Sequence, residues 1–120
     1  MADQVTEDPR LRYAERLLGP SVRLTLWARC ATWLIRLALE HALDELWLAR
    51  EPDLAACSTR AQLLALARFR DEDIARRFGE LWYTLSRAAH HHPYELAPTA
   101  REIRGWLDEA RALIAELAKD

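Results

Sequence analysis

The sequence predicts an all-α protein, an antiparallel helical bundle of four to five helices, and three observations predict it. The 120 residues include only three glycines and five prolines, while good helix formers such as Ala, Leu, Arg and Glu dominate. Apolar residues recur at helical spacing through several long segments. Those segments are separated by proline-containing breaks at Gly19-Pro20, Glu51-Pro52 and His92-Pro93. The length suits one domain, residues 1–120, with residues 1–8 as a frayed polar N-terminus.

Taken in order, Pro9 opens a short helix through Leu18, its apolar face made by Leu11, Ala14, Leu17 and Leu18. Gly19-Pro20 ends it in the manner of a C-terminal glycine followed by a residue that cannot continue a helix. Ser21 is a suitable N-cap for a pattern that continues to about Arg50. Within it Thr25, Arg29, Thr32, Arg36 and Glu40 form one narrow polar stripe, and most of the remaining circumference is apolar. So wide an apolar surface needs more than one neighbour, so this helix is expected both at the centre of the bundle and in contact with a second subunit.

Leu54–Ser58 reads as a connection, and Thr59 with Gln62 as a capping box opening a helix through about Phe69. Asp71 caps a longer helix with Glu72 and Asp73 in its first turn. Its stripe of Ile74, Phe78, Leu81, Trp82, Leu85 and Ala88/Ala89 runs into three consecutive histidines, and His92-Pro93 is expected to end it. Thr99 and Glu102 form a capping box for the last helix, whose apolar face holds Ile103, Trp106, Leu107, Ala110, Leu113, Ile114 and Leu117.

Net charge is −2, so no global field favours nucleic acid or membrane. Sixteen of the seventeen basic residues are arginine, the residue with a planar fork for phosphate or carboxylate, although a GC-rich coding genome produces the same bias. Two cysteines make no disulfide framework, and Cys30 reads as a buried small hydrophobe. No apolar leader and no membrane-length apolar run is present, which predicts a cytoplasmic protein without membrane contact.

Chemistry concentrates at Arg87–His92. On a continuous helix Arg87 and His91 share a face, with His90 to the side. Pro93 disfavours helix at His92 and frees it to swing toward Arg87, so spacing permits an Arg/His cluster without fixing which histidine completes it. Histidine exchanges protons near neutrality and a fixed guanidinium stabilises a phosphate gaining charge, a combination suited to phosphodiester cleavage without a metal. Arg68, Arg70, Arg76, Arg77, Arg101 and Arg104 are candidate phosphate contacts, and Tyr83 and Tyr94 candidate stacking surfaces. The bland alternative is a structural corner, with histidines capping loose carbonyls and Tyr94 and Glu95 bonded to them.

Three adjacent histidines point in different directions, so no metal site is expected, and His41 or Cys57 contributes only if the fold brings it close. Glu40, His41, Asp44 and Glu45 read as a solvated charged face. GxSxG, P-loop, HExxH and CxxC patterns are all absent, and no cofactor is expected.

The Arg-x4-His spacing of Arg87-Ala-Ala-His-His-His92, late in a small helical chain, resembles the HEPN superfamily. Trp33–Leu43 also resembles the long early helix of such proteins, and the likeness extends over residues 21–118 as topology. The resemblance implies a dimeric, metal-independent ribonuclease of toxin or defence type, with an antitoxin or nucleotidyltransferase as partner. It puts Arg87 in the place of the motif arginine and His92 in that of the motif histidine, at a cleft formed across a homodimer through residues 22–49 and 81–98. The chain departs from the pattern at Ala88, where catalytic members carry a polar residue. Beside this stand two other readings: a non-catalytic helical dimerisation module, and an RNA or nucleotide binder without cleavage.

Overall fold

The computed structural model describes residues 7–19, 27–90 and 97–119. They form six helices and no strand: α1 (Pro9–Leu17), α2 (Trp27–Arg50), α3 (Pro52–Ala55), α4 (Thr59–Phe69), α5 (Glu72–Ala89) and α6 (Ala100–Ala118). The expected all-α architecture is the observed one. The sixth helix is the single turn α3, which occupies most of the expected connection after Pro52.

Side-chain pairs between helices give their directions. Phe69 meets Trp47 edge-on, with ring centroids 5.0 Å apart, while Trp82 meets Arg36 and Glu40 further back along α2. Helix α5 is therefore antiparallel to α2. Arg77 pairs with Glu109, and the Arg70 guanidinium donates to the carbonyls of Leu117 and Lys119, so α6 is antiparallel to α5. Arg111 bonds Glu7 and Glu15, and Arg104 bonds Glu15, which runs α1 against α6.

The core is one cluster, built from all the longer helices. Its largest buried members include Trp47, Phe78, Leu11, Ile35, Leu39, Leu43, Leu66, Leu85, Ile103, Leu107 and Leu113. Full burial of each such side chain contributes about 1.5–3 kcal/mol. Helix α2 touches α1, α3, α4, α5 and α6, so it is the central helix that its wide apolar surface predicts.

Caps follow the sequence in two places and depart from it in two. The Asp71 carboxylate accepts from Asp73 N, and the reciprocal Thr99–Glu102 box is complete. At α4 the expected Thr59–Gln62 box is not formed. Ser58 is the N-cap, accepting from Ala61 N, and Gln62 turns inward, where its amide faces Asp44 Oδ1 and the carbonyls of Ala55 and Cys57. Burying that amide lets one side chain satisfy the tight turn between α3 and α4. At the end of α1, Leu18 is the C-cap and Gly19 does not adopt the positive φ of a glycine cap. Ser21 and Thr25 lie outside the described residues.

One further expectation for α2 is corrected, and its narrow polar stripe is buried or half-buried where described. Thr32 is fully buried, with its hydroxyl donating to the carbonyls of Arg29 and Ala28, and Arg29, Arg36 and Glu40 are half-buried. Cys30, expected inside, is exposed, as are Trp33, His41 and Leu48, and Leu34 and Leu37 are half-buried. Of the stripe, Glu40 meets α5 by accepting from the Trp82 indole, while the larger apolar arc of Ala31, Ile35, Ala38, Leu39, Leu43 and Leu46 lies in the core.

Candidate functional site

Helix α5 stops three residues before the predicted end. Ala89 is its last residue and His90 is the C-cap, extended at φ −81° and ψ 134°, with its N–H bonded to the Arg87 carbonyl at 3.3 Å. The shared face expected for Arg87 and His91 requires helix through His91, past the observed end of α5. His91, His92, Tyr94 and Glu95 lie outside the described residues. His90 and Arg87 are both exposed.

The antiparallel packing brings the end of α5, the start of α2 and the start of α6 to one end of the bundle. Arg87, Arg29 and Arg101 belong to these three segments. Among the described residues, none of the three guanidinia has a hydrogen-bond or ion-pair partner, and Arg29 Nε is buried without one. Ser86 Oγ, one residue before Arg87, is likewise buried and unbonded.

Other arginines of the predicted phosphate-binding set are committed elsewhere. Arg76 bonds Asp73 and Glu80, Arg77 makes a fork to Glu109 with distances of 3.2 and 2.7 Å, and Arg104 bonds Glu15 at 3.2 Å. Hydrogen bonds to Asp73 and Glu109 respectively hold the Arg76 and Arg77 guanidinia charged more firmly than usual. Arg111 and Arg104 hold the Glu15 carboxyl below its ordinary range, the hydrogen bond from Arg111 contributing most. Arg70 caps the end of α6, and Arg68 is exposed.

A second surface was not singled out from the sequence. The Arg36 guanidinium sits 4.9 Å from the Trp33 ring centroid and 5.6 Å from that of Trp82. Glu40 Oε2 accepts both from Arg36 Nε and from Trp82 Nε1, at 2.9 Å each. Trp82 meets Tyr83 edge-on, and Arg60 of α4 lies 5.9 Å from the Tyr83 ring centroid. Trp33 is 46% and Tyr83 45% exposed. The i, i+3, i+7 spacing of Trp33, Arg36 and Glu40 was a readable signal. Its completion by Trp82, some forty residues later, was not.

An open groove of about 590 Å³ lies between the start of α1, the second half of α2 and the end of α6, and includes His41, Glu45 and Arg70. No cluster of three or more His, Cys, Asp or Glu suited to a metal occurs among the described residues. Among them no helix is long and apolar enough to cross a membrane. Comparison with family models, curated proteins and solved structures found no match to this chain.

Proposed function

We propose that this chain is a HEPN-like, metal-independent endoribonuclease in which Arg87 and His92 act as a pair at a homodimer cleft. The observation that carries this reading is a group of three guanidinia without a carboxylate partner at the histidine end, Arg12 and Arg68 being likewise unpaired elsewhere among the described residues. Arg29, Arg87 and Arg101 have no carboxylate partner among the described residues, whereas Arg76, Arg77, Arg104 and Arg111 are neutralised. A phosphate arriving at that end meets cations that need not first break an ion pair.

In this mechanism the RNA 2′-hydroxyl attacks the adjacent phosphorus and His92 exchanges the proton. Arg87 neutralises the negative charge that grows on the non-bridging oxygens. The bond to the 5′-oxygen breaks, leaving a 2′,3′-cyclic phosphate. Dimer formation is supported by the outward arc of α2, where Cys30, Leu37 and Leu48 present apolar surface beside His41.

The test is cleavage of varied RNAs in EDTA with identification of the product ends. Cyclic phosphate products, lost in Arg87→Ala and His92→Ala, are the expected result. Intact RNA with wild-type protein, or cleavage undiminished in both variants, ends this reading. Sedimentation at several concentrations tests the dimer separately.

A further inference from the structure

We propose that Trp33, Arg36, Trp82, Tyr83 and Arg60 form a stacking platform for the unpaired bases of single-stranded RNA, laid along α2, α5 and α4 beside Arg87. Only the choice of ligand rests on the RNA-directed reading above. The platform itself rests on geometry.

Two aromatic rings there are about half exposed. Each is backed by a guanidinium, Trp33 by Arg36 and Tyr83 by Arg60. A ring held by a cation and fixed by its neighbours loses little freedom when a base stacks on it, and every base has a π-face to offer. Trp82 supports the arrangement from beneath, its N–H tied to Glu40 and its ring edge-on to Tyr83.

Charge favours a polyanion over a second protein surface by one guanidinium: Arg36 is paired with Glu40, while Arg60 has no carboxylate partner among the described residues. Tyr83 and Arg87 lie one turn apart on α5, a rise of about 6 Å. A base on Tyr83 therefore leaves its neighbouring phosphate within reach of Arg87. The exposed Tyr13 of α1, which has Arg16 over it but no aromatic neighbour among the described residues, provides an internal control.

The experiment measures binding of a labelled 2′-O-methyl oligouridylate, which lacks the nucleophile and stays intact, by fluorescence anisotropy. Trp33→Ala and Tyr83→Ala are each expected to weaken binding about tenfold. Tyr13→Ala should leave it unchanged. Arg60→Gln should flatten the dependence of log affinity on log salt by about 0.7. As a measurement on unaltered protein, photo-crosslinking to a 4-thiouridine oligonucleotide should mark peptides holding Trp33 or Tyr83.

Unchanged affinity in both alanine variants, or crosslinks confined to other peptides, overturns the platform. So does a Trp33→Ala variant that keeps its RNA affinity but dissociates into monomers, which makes the face a contact between copies. Binding that behaves as expected without any cleavage sustains the platform and removes the nuclease. Cleavage with binding indifferent to these rings does the reverse.

Discussion

Trp82 and Arg36 share one acceptor: Glu40 Oε2 takes a hydrogen bond from the Trp82 indole and another from the Arg36 guanidinium, both at 2.9 Å. This half-buried clamp is the polar link between α2 and α5, and it holds Arg36 between two indole rings. Glu40→Ala leaves both donors without that acceptor. A loss of about 1–3 kcal/mol in unfolding free energy is expected from urea titration. In a double-mutant cycle with Trp82→Phe, the two effects should fall short of their sum, because they remove the same bond. Strict additivity would show that the clamp does not couple the helices.

Arg87 is exposed and has no partner among the described residues, so its removal separates activity from stability. Arg87→Ala should leave the melting temperature within about a degree of wild type, as for other surface changes. If the proposed nuclease is correct, the same change should lower the RNA cleavage rate by about 10²–10³-fold. A large fall in melting temperature would instead make Arg87 a structural residue.

Glu15 gives a pH dependence of definite sign. Its carboxyl is held below the ordinary range by Arg111, which hydrogen-bonds it, and secondarily by Arg104. A depressed carboxyl stabilises the fold above its unfolded-state pKa of about 4.3, and that contribution is lost as pH falls through the lower folded value. Glu15→Gln should therefore melt earlier than wild type at neutral pH, with the gap closing in acid. The effect should shrink in high salt, because the groups are solvent-exposed. A gap independent of pH between neutrality and strong acid would show that the ion pairs contribute nothing.

Gln62 is the buried amide at the turn from α3 into α4, with Asp44 Oδ1 and the carbonyls of Ala55 and Cys57 around its nitrogen. Gln62→Ala removes their donor and should cost about 1–3 kcal/mol. Hydrogen exchange should rise first at residues 55–62 before reaching the rest of the chain. Equal exchange in the two proteins would assign the turn's stability to something other than this amide.

Helix content, the Asp71 and Thr99–Glu102 caps and the inward faces of α5 and α6 follow from the sequence by itself. Capping and amphipathic spacing act over a few residues, so the information lies close at hand. The orientation of α2 does not follow from its own residues. Thr32, Arg36 and Glu40 read as one narrow polar stripe, and they are buried or half-buried because back-bonding satisfies Thr32 while Arg36 and the Trp82 indole satisfy Glu40. Cys30 and Trp33 are left outside in consequence. The end of α5 also differs from the sequence reading: Pro93 marked a break, but the helix closes at Ala89, and His90 is already extended. Local chemistry determined which segments are helices. Long-range partners decided how α2 is turned and which arginines are drawn into ion pairs.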